Sequence, residues 1–135
     1  MNGKTAAMVD AADIDKAKAH LLAFFAAMAA WEKFAEANFS EESTDEISEK
    51  VKALYRQYAT EKHHDQDRYS WSGMDGGTYG KHKIVDVEIV SKSRAYIHTN
   101  ENIFQDRFLM IRQEDGMWRI DSRQRKREKW EKQAL

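Results

Sequence analysis

His63-His64-Asp65-Gln66-Asp67 is the one cluster in this 135-residue chain that looks like a set of metal ligands. Zinc accepts imidazole and carboxylate donors, but they must converge on a point. Adjacent residues on a helix project about 100° apart, and no His-Glu-x-x-His spacing supplies a second helical ligand. The cluster is expected to be a solvated helix end, with no metal and no cofactor. His20, His82 and His98 stand alone in the sequence. His98 falls within an alternating segment and is expected to pair with an acid on a neighbouring strand, because no nucleophile or second catalytic group lies beside it. Gly76-Gly77 and Gly80 lack the Lys-Ser/Thr that a phosphate loop requires. No Gly-x-Ser-x-Gly elbow and no dinucleotide fingerprint occurs, so no catalytic residue is assigned. The chain has no Cys, which excludes disulfides, thiolate nucleophiles and Cys-ligated metal sites.

Charge is clustered twice. Glu41, Glu42, Asp45 and Glu46 gather ahead of a helical pattern, where they complement the helix dipole. Arg119, Arg123, Arg125, Lys126, Arg127, Lys129 and Lys132 make the C-terminus basic, interleaved with Asp121, Glu128 and Glu131. A nucleic-acid surface needs a coherent basic face with stacking aromatics, and only Trp130 is interleaved here. The formal net charge of −1 adds no bulk attraction to polyanions. No nucleic-acid partner is expected. The tail reads instead as a solvated edge strand pinned by Trp130 and Leu135.

These residues must be positioned by a helical half followed by a strand-rich half. Leu21 to Trp31 carries no charge and lies in a helix expected from Asp10 or Asp13 to about Phe39. Ile14, Leu21, Phe24, Phe25, Met28, Trp31 and Ala35 recur at three- and four-residue steps, and Ala at 23, 26, 27, 29 and 30 favours helix and close approach. Asp10, Asp13 and Asp15 precede the run, where a secretory signal would carry positive charge, and it is too short to span a membrane. Ser43-Thr44-Asp45-Glu46 reads as a capping box opening a second helix with Ile47, Val51, Leu54, Tyr55 and Tyr58 on one face. That helix is expected to end in the polar stretch Glu61–Asp67.

Tyr69 to Trp71 reads as a short strand, and Met74-Asp75-Gly76-Gly77 as a turn. Four strands follow. Lys83 to Val90 sets Val85, Val87 and Ile89 against Asp86 and Glu88, predicting one wet face. Arg94 to Thr99 alternates Ala95, Ile97 and Thr99 with Tyr96 and His98. Ile103 to Gln113 and Met117 to Arg123 flank Glu114-Asp115-Gly116, a hairpin signal, with Trp118 and Ile120 expected to be buried near Phe108 and Met110. Short spacers imply antiparallel neighbours. With no repeat or linker, residues 1–135 read as a single α+β domain.

This order of elements resembles the NTF2-like fold. Gly116-Met117-Trp118-Arg119-Ile120-Asp121-Ser122, followed by Lys129-Trp130-Glu131-Lys132 and Leu135, resembles the NTF2-fold immunity proteins of bacterial polymorphic toxin systems. Ala27-Met28-Ala29-Ala30-Trp31-Glu32 and Asp86-Val87-Glu88-Ile89-Val90-Ser91-Lys92-Ser93-Arg94-Ala95 resemble the same family. The resemblance implies an NTF2-like cone, with a long N-terminal helix and a second helix packed on a curved antiparallel sheet. It implies a cytoplasmic, non-enzymatic protein that binds and neutralises a cognate toxin domain, and allows a homodimer through the sheet. Interface residues differ with each toxin and do not transfer. Glu41, Glu42, Asp45 and Glu46 are the partner-binding candidates on charge, since toxins acting on nucleic acids carry basic clefts. The alternative reading is an NTF2-like small-molecule binder or enzyme of isomerase or dehydratase type, or a dimeric accessory domain. For the enzyme, Tyr58, Tyr79, His82 and His98 are the candidates, and the sequence leaves open which point inward.

Overall fold

The computed structural model describes residues 10–73 and 77–135, so Met74, Asp75 and Gly76 of the expected turn lie outside the described residues. Two helices precede a five-stranded antiparallel sheet: α1 Ala11–Asn38, α2 Thr44–Tyr58, then β1 Lys83–Ser91, β2 Arg94–Glu101, β3 Phe104–Arg112, β4 Trp118–Lys126 and β5 Trp130–Gln133. The described residues divide into two compact units, one holding those up to His20 with His82–Leu135, the other those within Leu21–Lys81.

Helix α1 opens where Asp10 accepts a hydrogen bond from the Asp13 amide at 2.9 Å, the geometry of an N-cap. Leu21, Phe24, Phe25, Met28, Trp31 and Ala35 are buried as the periodicity predicts, and Glu32 joins them at 0% exposure. Of the alanines expected to allow close approach, Ala27 and Ala29 are half-buried, whereas Ala23, Ala26 and Ala30 face solvent. Their small side chains favour helix without adding exposed apolar bulk.

The expected cap at Ser43 is replaced by one at Ser40. A short 3-10 turn, Glu41–Ser43, precedes α2, and the Ser40 hydroxyl accepts from the Ser43 amide at 3.2 Å. Ser43 itself is helical and makes no capping bond, because the preceding turn already directs its backbone. Ile47, Val51 and Tyr55 form the buried face of α2. Trp31 donates its indole N–H to the Ile47 carbonyl at 2.8 Å, and Tyr79 stacks on Phe25 at 5.3 Å between ring centres. Tyr69–Trp71 forms no strand. Its indole and neighbouring backbone bond to side chains of α1 rather than to a ladder.

The sheet runs in sequence order, β1-β2-β3-β4-β5, so β3 is central. Its hairpins close on tight turns. Asn102 takes φ +54 between β2 and β3, and Gly116 takes φ +84 between β3 and β4, a left-handed conformation that glycine adopts without a Cβ penalty. Ala95, Ile97, Phe108, Met110, Trp118 and Ile120 are buried, and Met110 lies directly opposite Ile120, as the hairpin pattern predicts. Strand β1 departs from its expected alternation. Its pairing shifts at Val85 and again at Val90, and these residues are 54% and 49% exposed. Each bulge reverses the phase of the side chains that follow, so an edge strand cannot keep one dry face. The basic tail forms β5 against β4, and Leu135 is buried.

Candidate functional site

On the inward face of the sheet, β2, β3 and β4 bring polar groups together. Asp106 stands opposite Thr99 on one side and Arg125 on the other. Arg123 donates to one Asp106 oxygen at 2.9 Å and Arg125 to the other at 2.8 Å, all three groups being largely buried. Burial alone would raise the Asp106 carboxyl; hydrogen bonds and charge from Arg125 and Arg123 outweigh it and hold the group below the usual carboxylate range. His82 shares a hydrogen bond with the Thr99 hydroxyl at 2.9 Å, and its Nε2 lies 3.8 Å from Asp106. Burial pushes the His82 pKa down to about 4; nearby Asp106 opposes this, and Arg123 and Arg125 reinforce it. The imidazole is therefore neutral at pH 7.

Sequence reasoning assigned Arg123 and Arg125 to a solvated tail. The reason lies in β4, whose register with β3 jumps from Leu109↔Ser122 to Met110↔Ile120 and leaves Asp121 unopposed. Before the bulge, the even-numbered Trp118 and Ile120 face inward; after it, the odd-numbered Arg123 and Arg125 do. Arg123 also donates to the Ala134 carbonyl at 3.1 Å, tying down the end of the chain. Arg127 pairs with Glu131 at 3.2 Å. These side chains serve the fold rather than a common basic face.

The opposite face of the sheet carries a layer of rings and cations. The Arg107 guanidinium lies 4.0 Å from the centre of the Tyr96 ring and 4.4 Å from that of Trp130, and donates to Gln124 at 2.6 Å. His98 contacts Glu88 of β1 at 3.1 Å, the cross-strand pair expected of it.

In the helical unit, Glu32 accepts hydrogen bonds from the amides of Ser72 and Thr78 and from the Thr78 hydroxyl, each at 2.7 Å. Glu36 accepts from the Trp71 indole at 2.8 Å. Gly77, at φ +64, allows the loop to approach so closely that a Cβ there would lie 2.8 Å from the Glu32 carboxylate. In the sequence Glu32 directly follows the uncharged run Leu21 to Trp31 and closes the Ala27–Glu32 segment that resembles the family, with no sign of a buried role. Its helical spacing from Phe24, Phe25 and Met28 was the available signal that it shares their buried face.

Of the sequence candidates, Glu41, Glu42, Asp45 and Glu46 are all exposed, on the 3-10 turn and the first turn of α2. His63 and His64 do not act together: His63 contacts Gln66 at 2.7 Å and His64 the Ala59 carbonyl at 3.1 Å. Among the described residues, no three His, Cys, Asp or Glu side chains are grouped to hold a metal. Tyr79 is buried among Phe24 and Phe25, and Tyr58 packs on Phe24. Two surface cavities stand out. One of about 330 Å³ is lined by Ile14, Lys18 and Ile84–Val87. The other, of about 80 Å³, is lined by residues including Phe39, Ile47, Asp67, Tyr69 and Trp71. Neither is lined by Tyr58, Tyr79, His82 or His98. Among the described residues, no helix is long and apolar enough to cross a membrane.

The family model described as NTF2 fold immunity protein matches residues 16–134. Neither the curated proteins nor the solved structures gave a significant match. The matched span takes in both helices almost entirely and all five strands. Proteins of this family are not catalysts but inhibitors of a partner protein, in keeping with buried polar groups that hold the fold together. This chain belongs to the NTF2 fold immunity proteins, and its function is to neutralise a cognate toxin.

Proposed function

We propose that the chain acts in the cytoplasm, as one domain over residues 1–135, and meets its toxin through Glu41, Glu42, Asp45 and Glu46. The observation that carries this reading is the joint exposure of these four carboxylates on consecutive turns. Arg123, Arg125 and Arg127 are meanwhile engaged with acids of the same chain. Glu46 lies 4.0 Å from Lys50, a solvent-exposed pair of little strength. An acidic corner of this kind steers a basic protein surface toward it, raising the association rate more than the lifetime of the complex.

The test is co-expression with the products of adjacent reading frames, with pull-down and rescue of growth. Reversing the four charges should slow association with the captured toxin several-fold and flatten its salt dependence while leaving the fold intact. An unchanged association rate removes this corner from the interface. Turnover of a small molecule without any protein partner would overturn the reading as a whole.

A further inference from the structure

Phe39 is 69% exposed and Tyr69 is 86% exposed, an unusual degree for aromatic side chains on so polar a surface. They are not scattered. Both line the cavity of about 80 Å³, together with Trp71, Ile47, Asp67 and Arg68. A drug-sized ligand or cofactor requires roughly 300 Å³ or more, so this notch has room for the head of one side chain and not for a metabolite.

The notch wall is held in place. Trp71 donates to Glu36, its ring meets Trp31 edge-on at 5.9 Å and Phe39 lies 5.5 Å away. Trp31 is fixed in turn by its bond to Ile47. Rings ordered before binding lose little freedom on contact, which is the property of an interface anchor.

The electrostatics select the occupant. Asp67 and Arg68 both line the notch, and Asp67 already accepts from the Ser48 hydroxyl and the Arg68 amide, each at 2.7 Å, so the excess negative charge comes from Glu41, Glu42 and Asp45 on the turns that follow Phe39. Helix α1 ends at Asn38 with no basic residue of its own in its last turn, and the cation beside that end is Lys50 of α2, 4.9 Å from the Phe34 ring. Arg68, the cation of the lining, directs its guanidinium away to the Ser70 carbonyl and the Thr78 hydroxyl, both at 3.0 Å. Aromatic faces and carboxylates together favour a positive charge on an apolar stem.

We infer that the notch formed by Phe39, Tyr69 and Trp71 receives a lysine or arginine side chain of the cognate toxin. This rests on the reading above that the chain binds a protein toxin, and it adds an anchor to a corner otherwise described only by its charge. The acids accelerate encounter, and the notch slows release.

The test is surface plasmon resonance with the purified toxin domain encoded beside this chain, against the unaltered protein and the variants Tyr69→Phe, Tyr69→Leu and Phe39→Ala. Both positions are exposed, so unchanged thermal midpoints should confirm intact folds. Tyr69→Phe keeps the aromatic face and should bind within about twofold of the unaltered chain. Tyr69→Leu keeps apolar bulk without that face and should bind roughly tenfold more weakly, through faster dissociation, as should Phe39→Ala. Equal affinity of Tyr69→Leu and Tyr69→Phe would overturn the cation, and full affinity of Phe39→Ala would overturn the notch. If the unaltered chain itself fails to bind, the underlying reading fails and the notch falls with it.

Discussion

Asp106 in the sheet and Glu32 in helix α1 are both fully buried carboxylates, and they are held by opposite means. Asp106 faces the full positive charges of Arg123 and Arg125. Glu32 accepts its hydrogen bonds from dipoles, the amides of Ser72 and Thr78 and one hydroxyl, and feels a full charge from Arg68, a step behind through Thr78. The difference matters when a partner is lost. An amide freed in a loop can turn toward water, whereas the Arg123 and Arg125 guanidinium groups, packed against the sheet face and 8% and 15% exposed, stay buried without a counter-charge. Buried acids in this protein are joints, and the sheet joint is the more brittle of the two.

The largest effect should come from breaking it. Asp106→Ala strands two guanidinium groups in the interior and should cost about 3–5 kcal/mol, read from urea unfolding. A loss below about 1 kcal/mol would show that Arg123 and Arg125 reach solvent, and the contrast with Glu32 would vanish.

Acid should sharpen the same contrast without a substitution. His82 is neutral in the folded sheet down to about pH 4, whereas an unfolded histidine takes up its proton near pH 6.5. As pH falls through that interval the unfolded state binds the proton first, so stability declines, by up to about 3 kcal/mol once both states are charged. At still lower pH the depressed Asp106 carboxyl adds a further loss as it too is protonated. Urea midpoints at pH 7, 5.5 and 4.5 should trace this decline, and His82→Gln should remove its upper part. A flat profile between pH 6.5 and 4.5 would mean that His82 is hydrated.

The smallest effect belongs to the loop. Gly77→Ala forces a side chain into a left-handed conformation and against Glu32, costing about 1–2 kcal/mol. Limited proteolysis should show the cost locally, with faster cleavage in residues 70–80 and unchanged protection of the sheet. Loss of protection throughout would show that the loop joint supports more than its own unit.

Much of this architecture was legible because it rests on local pattern. The apolar steps from Leu21 to Ala35 gave α1, and the alternations around Ile97 and Phe108 gave the inner face of the sheet. Asp115-Gly116 gave the central hairpin. What stayed hidden depended on phase or on distance. One unopposed residue, Asp121, moves Arg123 and Arg125 from the wet face to the buried one, and nothing in the composition of β4 announces it. Glu32 was hidden for another reason: its partners lie 40 and 46 residues away. The capping serine lay three positions before the expected one because a 3-10 turn was inserted ahead of α2. The acidic corner could be found from sequence, but the aromatic notch beside it could not, since Phe39 and Tyr69 meet only through the folded chain.

The two bulges of β1 have a consequence for how this protein behaves at high concentration. A nine-residue edge strand without proline, carrying exposed Val85, Ile89 and Val90, has the composition of an aggregation seed. An incoming strand that tried to extend the sheet would meet donors and acceptors in step over only a few residues before the phase slipped at Val85 or Val90. Protection here comes from irregular spacing more than from charge. An edit that straightened β1 by deleting Val85 would lengthen its uninterrupted ladder and with it the risk of filaments, even if every interior contact of the sheet survived.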